Sequence, residues 1–266
     1  MKIAEMTRWM AAFAPPELAE SWDNTGFLCG DESRECRRVM TCLTVTPESA
    51  AEAVAQRADL VIAHHPLPFR PLTRLTEGAT TESLIRTFIK NDVALYCPHT
   101  AFDSAKEGIN QQLAEALGLC SILPLEPCAR CAEGGTGRFG EYGQEMPLSE
   151  FLRRVKNLFG LPYVQYVGTL DQPVRRVAIG CGAAGEFLEH ARKLRCDTFL
   201  TGEANFHTGL EARARGIAMV LMTHFAGERY ACVRLAEIIR ERVPALEAVW
   251  ACASESEPLN TYFEEK

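Results

Sequence analysis

The stretch RRVMTCLTVTPESAAEAVAQRADLVIAHHP, residues 37–66, decides the fold. Residues 37–45 read as a strand, residues 47–57 as an alanine-rich helix opened by a proline, and DLVIA as a short apolar strand. Residues 81–90 then carry a helical pattern, and VALYC, residues 93–97, forms another strand. Strands alternating with helices in this way indicate βαβ units and a largely parallel sheet. Upstream, Ile3, Met6, Met10 and Phe13 recur at three- and four-residue steps and mark one apolar helix face, ended by Pro15-Pro16. Between that helix and the first strand, PPELAESWDNTGFLCGD reads as a loop.

A second alternation begins after residues 120–144, a stretch rich in Pro, Gly and Cys that reads as a linker. Helices are expected over residues 147–159, 186–193, 208–215 and 228–242. Strands are expected in PYVQYVGTL, RRVAIG, DTFL and IAMVLM. The two alternations align. Arg37-Arg38-Val39 matches Arg175-Arg176-Val177, and the same offset pairs Ala53 with Ala191, Arg57 with Arg195 and Asp59 with Asp197. After one length change, HTAFD at 99–103 faces HFAGE at 224–228, each a His followed four residues later by a carboxylate. The expected architecture is therefore α/β, with two similar halves at residues 1–125 and 126–266. Largely parallel or mixed sheets carry helices on their faces, and a site lies between the halves.

The chain has 266 residues, 47% apolar and 24% charged, values of an ordinary globular protein that exclude disorder and a coiled coil. Its formal net charge of −7 argues against nucleic acid as the main partner, because a phosphate-binding surface needs the opposite sign. No run approaches the ~18–20 continuous apolar residues of a membrane span, and the N-terminus lacks a signal-peptide core. Eleven irregularly spaced cysteines without an export signal are expected to be reduced thiols, and the location cytoplasmic.

Ligands of parallel α/β sheets gather at the carboxyl ends of strands. Here those ends carry His64-His65, His99 with Asp103, Glu203, and His224 with Glu228, so four of the chain's six histidines lie just past strands. A single His in such a place is usually a hydrogen-bonded structural residue, and adjacent His side chains on an extended chain point apart. Convergence from two repeat halves favours a metal site instead. Imidazole and carboxylate donors suit Zn, Mn, Fe, Co or Ni, and the set is large enough for two divalent ions sharing a carboxylate.

Other signals carry less. Gly180-Cys-Gly182-Ala-Ala-Gly185 satisfies G-x-G-x-x-G, yet no acid follows at the ribose-binding distance, so a tight strand-to-helix turn explains it. Cys128-x-x-Cys131 lacks a second pair and reads as two ordinary thiols. His190 reads as solvated and Trp22 as a loop anchor, with Asp23 and Asn24 able to orient a ligand. Arg70 and Arg74 are the cations nearest the His pair and read as solvated.

PELAESWDNTGFLCG at 16–30, AHHP at 63–66, HTAFD at 99–103, TGE at 201–203 and THFAGE at 223–228 together resemble one known family. It comprises the dinuclear metal proteins similar to NGG-interacting factor three, whose members carry the name GTP cyclohydrolase one type two. The likeness covers nearly the whole chain and fits the short form, although SAKEGINQQ at 104–112 departs from the family's glycines and acids. The resemblance implies His64, His65, Asp103, His224 and Glu228 as metal ligands, and His99 and His207 as further site histidines. It also implies a cytoplasmic homohexamer, a trimer of dimers.

The implied activity is hydrolytic opening of the guanine imidazole ring of GTP with release of formate. Metal-activated hydroxide would attack, and His207, His99 or Glu203 would shuttle protons. The same hydroxide serves a phosphoesterase equally well, and a non-catalytic metal-binding, metal-delivery or scaffold protein would carry the same ligands.

Overall fold

The computed structural model describes residues 1–129, 131 and 134–262. It opens with α1 (Ile3–Phe13), whose buried Ile3, Met6 and Met10 form the expected apolar face. Strands β1 (Gly26–Cys29) and β2 (Arg38–Cys42) follow, then α2 (Pro47–Ala55), β3 (Leu60–Ala63), α3 (Thr80–Lys90) and β4 (Ala94–Cys97). Two short helices, α4 (His99–Ser104) and α5 (Ile109–Ala116), lead out of this half. Strands β5 (Cys120–Leu123), β6 (Glu126–Pro127), β7 (Gly135–Thr136) and β8 (Arg138–Pro147) come next. The remainder runs α6 (Leu148–Leu158), β9 (Gln165–Val167), β10 (Pro173–Gly180), α7 (Leu188–Lys193), β11 (Thr198–Thr201), α8 (Phe206–Arg215), β12 (Ala218–Leu221), α9 (His224–Arg242) and β13 (Ala248–Ala251).

Two mixed sheets result, ordered β1-β4-β3-β2-β13 and β5-β8-β10-β11-β12-β9. In the first, β4, β3, β2 and β13 are parallel and β1 is antiparallel at the edge. In the second, β10, β11 and β12 are parallel, flanked by antiparallel β8 and β9. β3, β4 and β11 are buried along their whole length, so β3 and β4 read as unbroken apolar runs and β11 as Phe199-Leu200 between two buried threonines.

The alternation of each strand serves two layers. Val61, Ala63 and Leu95 pack outward on α2 and α3, and Ala178, Phe199 and Met219 pack outward on α7 and α8. The opposite faces, with Leu60 and Ile62 from one sheet and Ile179, Leu200 and Val220 from the other, enter a single central core together with α1, α5, α6 and α9. The halves thus share their interior.

The duplication extends to backbone detail. The Asp59 carboxylate accepts the backbone N–H groups of Arg37 and Arg38, both at 2.8 Å. Asp197 accepts those of Arg175 and Arg176, at 3.0 and 2.7 Å. Before each aspartate, Arg57 and Arg195 take the same left-handed conformation, at φ 54° and 57°. The repeat runs helix, edge strand, strand, helix, strand, helix, strand, helix in both halves, from α1 to α4 and from α6 to α9.

Four expectations need correction. PPELAESWDNTGFLCGD is not all loop, since Gly26–Cys29 forms the edge strand β1 against β4. Residues 120–144 are not a linker but hold β5, β6, β7 and much of β8. β8 hides because it lacks apolar alternation and buries an arginine. Arg138 is 1% exposed, and all five of its N–H groups find acceptors. Nε bonds Gln111, Nη1 the carbonyls of Gly135 and Gly137, and Nη2 those of Ala105 and Ser104. Gly140 lets β5 approach, since a Cβ there would lie 2.9 Å from the Cys120 carbonyl. The last helix begins at His224, four residues before the expected start, because the Thr223 side chain caps it by accepting the Ala226 N–H. PYVQYVGTL keeps only Gln165–Val167 as strand.

Sheet membership also follows a different division from residues 1–125 and 126–266. β5 already belongs to the second sheet, and β13 pairs with β2 in the first. The 19-residue α9, on the order of 28 Å long, carries the chain back across the shared core. Among the described residues no helix is long and apolar enough to cross a membrane, and all eleven cysteines are free.

Candidate metal centre

His64 and His65 extend β3 by backbone hydrogen bonds to Cys42 and Leu43, at 2.9 and 2.8 Å. Their rings nonetheless sit only 5.0 Å apart, centroid to centroid, tilted 48°. α4 places His99 and Asp103 four residues apart on one helical face, and the first turn of α9 does the same for His224 and Glu228. Glu228, 3% exposed, is the hub. One oxygen lies 3.0 Å from His65 Nε2 and 2.9 Å from His224 Nε2; the other lies 3.7 Å from His64 Nε2. Asp103 approaches the same His64 Nε2 at 3.6 Å.

Around this hub, neighbouring groups fix the rings. The Thr44 hydroxyl lies 2.7 Å from His65 Nδ1. Asp23 lies 2.7 Å from His99 Nδ1 and accepts the Thr100 backbone N–H and hydroxyl. Glu203 lies 3.4 Å from His224 Nδ1. The Cys181 thiol donates to Asp103 at 3.2 Å, and Asn110 bridges the Cys181 N–H to the Asp103 carbonyl.

The electrostatics are those of a buried charge cluster. Burial raises the Asp103 carboxyl above its ordinary pKa. Burial acts on Glu228 in the same direction, but His64, His224 and His65 outweigh it and hold its carboxyl well below the carboxylate range. The Glu228 hydrogen bond lifts His224 to about 9. Burial depresses His65; it acts likewise on His64, where Asp103 and Glu228 prevail and raise the ring. For Asp23 burial is overcome by its hydrogen bonds with His99 and Thr100, which bring it to about 2.

Two groups of donor atoms lie within 4.8 Å of one another, His64 with His65 and His99, and His65 with His224 and Glu228. The fit to a cation rests on His64. Both its ring nitrogens are buried with no hydrogen-bond partner. Leaving such a group unsatisfied costs about 1–3 kcal/mol per buried polar atom. A divalent cation of borderline character satisfies an imidazole and carboxylates of this kind.

Of the residues singled out from sequence, His64, His65, His99, Asp103, His224 and Glu228 converge, with Glu203 beside them. His207 does not join them within one chain: it is exposed on the first turn of α8, its ring against Phe206. Arg70 and Arg74 are exposed and do not line the pocket. His190 is not simply solvated but lies 3.2 Å from Glu126. Trp22 is not buried as an anchor; it is 62% exposed at the rim. Thr44, Cys181 and Asn110 escaped sequence reading. Gly182 carries the signal that could have found the Cys181 corner, because its Cβ would lie 2.4 Å from a Glu228 oxygen. The 180–185 turn thus closes under the carboxylate.

The pocket above these groups measures about 450 Å³ and opens between the halves. Fold and site together define a class: a duplicated parallel α/β protein with a histidine–carboxylate pocket, able to hold metal, at the junction of its repeats. The family model Duf34/NIF3 (NGG1p interacting factor 3) matches residues 1–258. A Clostridium perfringens protein named GTP cyclohydrolase 1 type 2 homolog is 30% identical over 243 residues, 91% of this chain and 93% of its own. The Drosophila melanogaster NIF3-like protein 1 is 31% identical over 86% of this chain and 78% of its own. A crystal structure of a Staphylococcus aureus hypothetical protein superposes with a TM-score of 0.91 at 26% identity, covering 98% of this chain and 99% of that one. The chain belongs to the Duf34/NIF3 family.

Proposed function

We propose that this chain is a divalent-metal-dependent hydrolase of a small molecule, and that its reaction is the opening of a guanine imidazole ring with release of formate. The relatives named GTP cyclohydrolase 1 type 2 homolog support the reaction class. The observation that carries the metal dependence is His64, buried with neither ring nitrogen hydrogen-bonded and Nε2 held 3.6 and 3.7 Å from the carboxylates of Asp103 and Glu228. In this reading His64, His65, Asp103, His224 and Glu228 hold two divalent cations. Glu228 would offer both oxygens to the cations, one facing His64 and the other His65 and His224. When bound, such a pair lowers the pKa of water toward neutrality and polarises the carbon under attack.

The remaining residues orient and move protons. Asp23 holds His99 through Nδ1, leaving Nε2 free to take a proton from water or return one to the leaving ring nitrogen. Glu203 steadies His224, and the Thr44 hydroxyl fixes the His65 ring. One water adds at the imidazole carbon and one ring C–N bond breaks, leaving a formamide on the other ring nitrogen; a second water adds to the formyl carbon, the remaining C–N bond breaks, and the carbon leaves as formate while both nitrogens are left as amines. The test is formate release from GTP by metal-loaded protein, beside a His65→Ala variant and a metal-only blank. Formate above the blank that disappears in the variant is expected. Equal formate in all three overturns the reading.

A further inference from the structure

Aromatic surface is concentrated where the pocket meets solvent. Trp22 is 62% and Phe69 48% exposed, with ring centroids 6.0 Å apart. Each also meets the His99 ring edge-on, at 6.1 Å and 77° for Trp22 and 6.3 Å and 85° for Phe69. These rings are held, not trailing. Asp23, next to Trp22, is tied to His99 and Thr100, and the Asn24 amide donates to the Pro68 carbonyl at 2.7 Å, linking the two loops. Large rings kept in water on braced loops await an apolar face.

The charge of the pocket is equally selective. Its ionisable lining among the described residues consists of histidines, the Cys181 thiol and the carboxylates of Glu20, Asp103, Glu186 and Glu228, without a lysine or arginine. Two divalent cations would roughly neutralise those four acids and leave no surplus for a polyphosphate. Sites built for phosphates use Arg or Lys forks or stacked backbone N–H groups.

We propose that Trp22 and Phe69 form a stacking subsite for a planar heteroaromatic ring, and that the substrate is a base or nucleoside without a polyphosphate. This deepens the metal-hydrolase reading and rests on it. The ring stacks on the Trp22 face and is met at its rim by Phe69, tilted 53° to Trp22, with its edge toward His99 and the histidine–carboxylate cluster. Glu20 and Glu186 accept ring N–H or amino hydrogens and repel phosphate. GTP would be accepted for its base and opposed for its tail.

The test uses metal-loaded, full-length protein titrated with guanosine, adenosine, GTP and inorganic triphosphate. Trp22 fluorescence is read against Trp22→Ala, which retains Trp9 and Trp250. Nucleoside binding should quench the Trp22 signal, and calorimetric titration should show nucleoside affinity about tenfold to hundredfold weaker in Trp22→Ala or Phe69→Ala. Guanosine should bind at least as tightly as GTP, and triphosphate should not compete with it. The proposal is overturned if neither nucleoside quenches Trp22, if both alanine variants bind as wild type, or if triphosphate displaces guanosine. Failure here is separable from failure of the hydrolase reading. Ring binding without formate release sinks only the latter; formate release from GTP that is indifferent to Trp22→Ala sinks only the stacking subsite.

Discussion

Substituting Gly182 by alanine would test the metal centre from behind, without touching a ligand. Gly182 sits at φ +62°, where an L side chain costs about 1–2 kcal/mol. An added Cβ would also lie 2.4 Å from a Glu228 oxygen and 3.5 Å from His224 Nε2. Ordinary contact begins near 3.4 Å, so that oxygen must retreat by about 1 Å. Metal–ligand distances tolerate about 0.2 Å. Because even changes around a ligand cost ~10–100-fold in metal affinity, moving the ligand itself should cost at least ~100-fold.

Gly216 supplies the control. It has φ +68° and nothing within 4 Å of an added Cβ, so Gly216→Ala carries the backbone strain alone. Thermal unfolding of both variants, without metal and with Zn²⁺ or Mn²⁺, separates the effects. Gly216→Ala should lower the Tm by about 2–8 °C and keep the full metal-induced rise. Gly182→Ala should fall at least as far and lose most of that rise, with a matching loss in chelator-competition titrations. A Gly182→Ala protein that gains as much Tm from metal as wild type would refute the placement of Glu228 in the centre.

Three further outcomes are expected. In metal-free protein His224 should titrate near 9 by NMR; its raised pKa contributes stability that is full below its ordinary 6.5 and lost as pH rises toward 9. Metal affinity should climb over the same window as His224 gives up its proton, and a ring titrating near 6.5 would contradict the Glu228 contact. Arg138→Met should lower the Tm by about 6–12 °C, a loss of about 3 kcal/mol, because the carbonyls of Ala105, Gly135 and Gly137 lose their donors. Asp59→Ala and Asp197→Ala should each cost about 1–2 kcal/mol in urea unfolding and add in the double variant; a clear departure from additivity would mean that the two repeat corners communicate.

What could be seen in the sequence follows from what each segment buries. β3 and β4 are covered on both faces, so their apolar runs announce strands regardless of context. β8 was illegible because it fills space with Gly140, Tyr142 and a fully satisfied Arg138 in place of an apolar stripe. β13 is four residues whose pairing with β2 lies far away in the chain. The metal-type side chains were legible because His-x-x-x-acid puts two donors on one helical face at each strand end. Their supports were not, since Asp23 meets His99 across 76 positions and Cys181 meets Asp103 across 78. No local pattern encodes those meetings.

The course of α9 bears on how the pocket can work. Its first turn furnishes His224 and Glu228, while its later turns pack on β2, β13 and α5, and the Cys232 carbonyl is tied to Thr41. Prising the repeats apart would drag this helix out of both, and the common interior would be wetted along with it. The walls are therefore stiff, and rate changes from substitutions at 66–70, away from Asp23 and the histidines, should reflect entry and exit more than chemistry.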